Sequence, residues 1–271
     1  MNLYEAIFHR RSIRKYPESS LSDEKLSEIR EFLTDRPRLY PNVSSDVALA
    51  ENGVELQRNI SGIISDYGKV RSPHYLIVSS EEEEEGHLAD IGYSLEYVVL
   101  QLTSMGIGTC WIGKGFKNGE LENLVDLPAA QESRALIAIG DPGPGQELTR
   151  IEEPNRKGLN HFLLDKRESQ LDEKERKLID GLRRAPSAIN GQPWRISIEE
   201  EMVHLFIELR SKITRTLIGN MMTMNQIDGG IGLSHLEITA RNLWDDISIQ
   251  SYNEVNMDRL KYIGSLNISK K

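Results

Sequence analysis

The sequence predicts an α+β protein that runs through one architectural plan twice. Three observations lead there. Capped amphipathic helices alternate with short runs rich in β-branched residues. Two sets of helical residues recur in the same order. Between them lies GDPGPGQELTRIEEPNRKG, residues 140–158, a linker-like stretch dense in glycine, proline and charge.

Taken in order, Leu3, Ala6 and Ile7 have helical spacing, which predicts a short helix from residue 3 to about 11 with arginines at its end. Ser22 is a good N-cap, and Asp23 and Glu24 follow in the first turn, where negative charge meets the helix dipole. Leu26, Ile29 and Leu33 carry the apolar stripe to a stop at Pro37. YLIVSS at 75–80 reads as a buried strand, and the run Glu81 to Glu85 behind it as a solvated turn or helix start. From Asp90 to Met105, Leu95, Val98, Val99 and Leu102 mark a core helix ended by Gly106 and Gly108. RALIAIGDPG at 134–143 is a strand with a turn behind it. In the second half, RISIEE and VHLFIE read as strands, and LKYIGSLNI as another.

The recurrence is specific in its order. Asp23-Glu24-Lys25 returns as Asp172-Glu173-Lys174, and Ile29, Leu33 and Pro37 return as Leu178, Leu182 and Pro186. Asp90-x-Gly92-x-x-Leu95 returns as Asp228-x-Gly230-x-x-Leu233, each time opening a long helix. Each half closes on a strand-like run. This predicts two related halves, 1–165 and 166–271, packed as a pseudo-dimer.

Composition narrows the function. With 271 residues, 28% charged and 38% hydrophobic, the chain has the make-up of a soluble globular protein. A formal charge of -9 argues against a nucleic-acid partner, since phosphate neutralisation needs a basic surface. No apolar stretch reaches the roughly 20 residues that span a bilayer. The single Cys110 fits a reducing compartment, and a cytoplasmic location is expected. Acidic residues flank the basic run near the N-terminus, unlike a transit peptide. The six histidines show no metal-ligand spacing.

Three stretches could carry chemistry. RRSIRKY at 10–16 gathers Arg10, Arg11, Ser12 and Arg14. Guanidinium forks and a hydroxyl can converge on one phosphate, or the same residues can simply finish a surface helix. PSAINGQPW at 186–194 is a loop of short hydrogen-bonding groups that could line a planar polar ring or merely join helix to strand. GIGTCWIGKGF at 106–116 has glycines that let backbone amides approach a ligand, but lacks the spacing and acidic partner of a dinucleotide fingerprint.

Together the three resemble the FMN-dependent nitroreductase family, in the fused two-half form of the thermophile nitroreductases. The resemblance covers most of the chain. It implies an α/β/α sandwich with a mixed, mostly antiparallel sheet flanked by helices, and an NADH- or NADPH-dependent oxidoreductase. Hydride would pass through FMN to a small-molecule electron acceptor, a nitroaromatic or quinone, in a two-step exchange. The order of motifs departs from the ordinary family. After the first capped helix, where the proline-serine-asparagine loop belongs, stands RPRLYPNVSS (36–45). The loop follows the second capped helix instead, in a half without the arginine run. The resemblance then implies one FMN per chain. Arg10, Arg11, Ser12, Arg14 and the turn Ile112, Gly113, Lys114, Gly115 would come from the first half, and Pro186, Ser187, Asn190 and Gln192 from the second.

By the same resemblance Arg10 and Ser12 hold phosphate and ribityl oxygens, and Arg156 or Lys157 reaches the phosphate. Arg14 lies near the N1 and C2 edge of the ring, where a cation raises the potential. Backbone amides of the 113–115 turn meet N5 and O4, and the 36–72 segment covers the open face. No side chain is assigned as a catalytic acid, base or nucleophile, and no metal is expected. The fused chain would be a monomer, with further association open. Two other readings share these motifs: a dehalogenase or dehydrogenase relative, and a low-turnover flavin-binding or redox-sensing module.

Overall fold

Local signals that sequence alone supplies become caps and ladders in the computed structural model. It describes residues 1–59, 70–81, 86–112, 125, 127–128, 130–209, 221–250 and 259–268. Asn2 and Glu5 form a capping box that starts α1 (Leu3–His9). Ser22 caps α2 (Asp23–Thr34), and Asp172 with Glu175 boxes α5 (Glu173–Arg183). The other α-helices among the described residues are α3 (Gly53–Asn59), α4 (His87–Ser104) and α6 (Met221–Leu243).

By contacts the chain forms two compact units, Met1–His87 with Tyr97–Ile151, and Leu88–Glu96 with Glu152–Lys271. This cut follows packing, and it places residues 152–165 and the Leu88–Glu96 turns of α4 with the second unit.

In the first unit β1 (Ser45–Ala50), β2 (His74–Ser80), β3 (Gly108–Ile112) and β4 (Glu132–Gly140) make a sheet of order β1-β2-β4-β3. In the second, β5 (Trp194–Glu199), β6 (Met202–Glu208), β7 (Ile247–Gln250) and β8 (Leu260–Ile268) have the order β5-β6-β8-β7. The two orders are the same, and so is the placement of the preceding capped helix and of the long helix after the second strand. Even the register irregularity recurs on the central pair, at Val78/Ser79 and at Leu205/Phe206. All these ladders are antiparallel. Among the described residues the parallel component is confined to isolated bridges, Ser12 to Thr109, Lys15 to Arg71 and Leu163 to Ile196.

The α+β class, with helices and two four-stranded sheets, agrees with expectation. Several elements differ in detail. The first helix stops at His9, because Arg10 turns extended (φ -60, ψ 128) and the following chain pairs along β3. Gly108–Ile112, read as part of a glycine-rich turn, is strand β3. The 36–72 segment contributes β1 and α3, two elements that alternation alone does not announce. The run Glu82–Glu85 lies outside the described residues.

Within the second unit α6 is buried on every side from Ile227 to Ala240, as expected of a helix apolar around most of its circumference. There it meets the Leu88–Glu96 part of α4 at very short range. A Cβ on Gly92 would stand 2.0 Å from the Ile227 carbonyl oxygen, and one on Gly230 would stand 1.9 Å from that of Ala89. The two glycines are equivalent in the repeated Asp-x-Gly-x-x-Leu motif, and each meets the residue three before the other. The helices therefore cross backbone to backbone about an approximate two-fold. The crossing is framed by polar pairs. Glu96 and His235, both fully buried, lie 3.0 Å apart, and the Tyr93 hydroxyl donates to Glu237 at 2.5 Å. His235 also donates through Nδ1 to the Gly181 carbonyl at 3.0 Å.

Because backbone cannot yield, Gly92→Ala or Gly230→Ala must push the helices apart. Overpacking of this kind costs about 1–3 kcal/mol, against less than about 1 kcal/mol gained from alanine's helix propensity. Either variant should unfold at clearly lower denaturant. Gly158→Ala, with open space around its Cβ position, should match the parent to within about 0.5 kcal/mol. Equal midpoints for all three variants would contradict the crossing.

Candidate functional site

The basic run is built as an extended strand segment. Arg10 N–H closes α1 on the Ala6 carbonyl (2.8 Å), and Ile13 N–H donates to Thr109 of β3 (2.9 Å). The Gln146 side-chain oxygen accepts from the amides of Arg14 (2.7 Å) and Lys15 (3.1 Å), and Gly143 N–H donates to the Lys15 carbonyl (2.8 Å). The turn after β4 thus clamps the run from the other side. Arg10, Ser12 and Arg14, spaced by two as on one face of extended backbone, all act on Cys110 of β3. The electrostatics of Cys110 agree. Burial pushes its thiol up, while the charges of Arg14 and Arg10 and a hydrogen bond with Ser12 pull it down. Burial wins, and the thiol is raised above its ordinary value.

The individual arginines differ. Arg10 is 6% exposed, held where its backbone is fixed. Arg14 is exposed and touches the Ser12 carbonyl at 3.4 Å. Arg11 turns to the other side and contacts the Glu147 carbonyl at 3.4 Å. Next to the run, Tyr16 reaches the Ala138 carbonyl at 3.3 Å, and burial raises its phenol far above the ordinary range. Ile112 is buried at the end of β3. Gly113, Lys114 and Gly115 lie outside the described residues.

The second unit supplies the loop. Three residues other than glycine adopt positive φ there, Ile189 (49°), Asn190 (56°) and Gln192 (49°). Each such residue costs on the order of 1–3 kcal/mol, and for β-branched Ile189 the conformation is a true outlier. Strain of this kind survives only where surrounding contacts over-determine it. Here they are explicit. The Asp228 carboxylate accepts the Ala188 amide through both oxygens (3.1 and 3.2 Å), and its carbonyl accepts the Trp194 indole N–H (2.6 Å). Ser187 Oγ accepts the Gln192 amide (2.9 Å). Gln192 Nε2 donates to the Asn190 carbonyl (3.1 Å), and Asn190 Nδ2 donates to the Asn155 carbonyl (3.1 Å). Ile189 remains 64% exposed at the tip.

The linker closes on this loop. Lys157 N–H donates to Gln192 Oε1 (2.9 Å), and its ammonium donates to the Gly191 carbonyl (2.8 Å). Arg156 contacts the Asn155 carbonyl at 3.0 Å. The structure therefore brings Lys157 together with Gly191 and Gln192. It gives Asn190 and Gln192 the task of shaping the loop. Asp228, Asn155 and His161 belong to this constellation and were missed. Only Asp228 left a trace in sequence, as the first residue of the repeated Asp-x-Gly-x-x-Leu motif. Among the described residues no group of three or more His, Cys, Asp or Glu could hold a metal, and no helix is long and apolar enough to cross a membrane.

Comparison with solved structures gives the same fold. A crystal structure from Thermotoga maritima, described as "a putative nitroreductase", is 22% identical with TM-score 0.64, covering 99% of this chain and 93% of that one. A nitroreductase with bound FMN from Bacteroides fragilis is 22% identical with TM-score 0.48, covering 58% of this chain and 95% of that one. Another with bound FMN, from Desulfitobacterium hafniense, is 20% identical with TM-score 0.45, covering 57% and 95%. Among curated proteins no sequence matches. A family model with the description "Putative TM nitroreductase" matches residues 2–240. That span takes in both the arginine run and the Ser187–Gln192 loop, and the chain belongs to this nitroreductase family.

Proposed function

We propose that the chain is an FMN-dependent oxidoreductase of nitroreductase type, carrying one FMN and reduced by NADH or NADPH. The observation that carries this reading is the common face of Arg10, Ser12 and Arg14 on an extended segment clamped by β3 and Gln146. A dianionic phosphate needs fixed cations and donors within a few ångströms of one point, and this face offers two guanidinium groups and a hydroxyl. The donor set therefore fits the group. Arg10, with its backbone fixed and its side chain buried, would hold the phosphate. Ser12 would hold the ribityl chain, and Arg14 would stand toward the ring edge. Arg11 would add long-range attraction only.

The Ser187–Gln192 loop supports the ring-covering role. Pro186 and Ile189 would supply apolar surface against a flat ring, and Asn190 and Gln192 keep the loop in the strained shape that presents them. Flavin, when bound, supplies a two-electron carrier that accepts hydride and passes it to an electron-poor acceptor. The residues then need only bind, orient and exclude water, so no side-chain acid or base is called for. The repeated strand order, the repeated Gly-centred crossing and the split of motifs support an ancestral duplication. In that duplication the first half kept the arginines and the second kept the loop.

Purified protein should be yellow, or become so on adding FMN, and bleach anaerobically with NADH or NADPH. Colour should return on adding a nitroaromatic or quinone. Bleaching by neither donor would favour a flavin-binding module with little turnover, and failure to take up FMN would end both readings. Arg10→Ala and Arg14→Ala should each weaken FMN binding by roughly 1.5–3 kcal/mol, about tenfold to a hundredfold. Arg11→Ala should change it far less. Equal effects of all three, measured by flavin fluorescence titration, would remove the common face from the argument.

A further inference from the structure

His161 sits beside the loop in an unusual arrangement of charges. Its Nε2 lies 2.8 Å from Arg195 Nη1 on β5 and 3.0 Å from the Lys157 ammonium in the linker, with the Gln192 carbonyl oxygen at 3.3 Å. Arg195 is itself paired with Glu208 of β6 at 2.6 Å. Arginine and lysine have only protons to give, so the two shorter contacts are satisfied when Nε2 accepts and the ring is neutral with its proton on Nδ1, and only the longest, to the Gln192 carbonyl, calls for the opposite. The same Lys157 holds the Gly191 carbonyl and, through its backbone, Gln192. Neutral imidazole is thus the keystone between two cations and the strained loop.

We propose that His161 is a positioning residue for the Ser187–Gln192 loop, holding it in order while neutral and releasing Lys157 and Arg195 from it when protonated. The flavin side of this inference rests on the function proposed above; the loop side does not. Burial, followed by the positive charges of Arg195 and Lys157, lowers the imidazole below its ordinary value of 6.5, outweighing the Gln192 carbonyl and Glu208. The sign follows. The neutral form is favoured by folding, so the stabilisation is full above pH 6.5 and is lost as the pH falls toward the lowered value. A protonated ring would have only the Gln192 carbonyl to face, with two repelled cations beside it.

The test is amide hydrogen exchange at Asn190, Gly191 and Gln192 in protein free of flavin, at pH 7.5 and 5.5, in the parent and in His161→Gln. Glutamine can accept from Lys157 and Arg195 but does not titrate. The parent should lose about tenfold in protection at these amides between the two pH values, after correction for intrinsic exchange, and the variant should lose little. Equal losses in both would overturn the inference. Should His161→Gln not fold, ¹⁵N shifts of the parent imidazole serve instead. The ring should hold its proton on Nδ1 at pH 7.5, and loop protection should fall as the pH drops from 6.5 to the point at which the ring itself titrates. Ring titration at or above pH 6.5, or a proton on Nε2, would equally overturn it. A parallel FMN titration separates the two claims. Loop protection that follows pH in a protein binding no FMN would sink the proposed function and leave the role of His161 standing.

Discussion

Two helices in the second unit touch through bare backbone, and much of the molecule's arrangement follows from that contact. Where Gly92 and Gly230 face Ile227 and Ala89, no side chain of any size fits. Helices this close must be fixed in rotation as well as distance. That fixed rotation sets Tyr93 against Glu237 and Glu96 against His235, and aims Asp228 at the amide of Ala188. Buried polar pairs of this sort contribute little net stability but strongly disfavour alternative packings, since breaking one leaves a buried group unmatched. The crossing therefore determines where the carboxylate that caps the loop will stand.

From there the loop follows. Asp228 anchors its first amide, Ser187 closes it on Gln192, and Lys157 ties its far end to the linker. Three αL residues in four positions would not persist without those contacts. In the first unit the arginine run is restrained by different means, strand pairing to Thr109 and the double acceptor of Gln146. Both segments are tied down by their own hydrogen bonds, and under the proposed function that spares binding the entropy of ordering them.

The sequence was legible wherever a signal is local. Ser22 and Asp172 announced their helices, the alternation in β6 and β8 gave strands, and Asp90-x-Gly92 with Asp228-x-Gly230 announced the repeat. Arg10, Ser12 and Arg14 were identifiable as a cluster, while the helix expected to run to about residue 11 ends at His9. Spacing of four suits a helix face and a strand face equally, and only pairing with β3 decides between them. β1 and β3 escaped notice because glycine and alanine dilute their alternation and their partners lie far along the chain. Asn155 and His161 escaped for a different reason. A carbonyl acceptor and a neutral imidazole acquire their roles from what folds against them, and nothing in a linear pattern marks that.

The central claim is that one flavin phosphate is held per chain, because the arginine run occurs in one half and the loop in the other. Stoichiometry tests it most directly. Flavin released by denaturing protein saturated with FMN, counted against chain concentration from amino-acid analysis, should give about one per chain. Two per chain would mean that the second half also holds a phosphate without the arginine run, and would contradict the account.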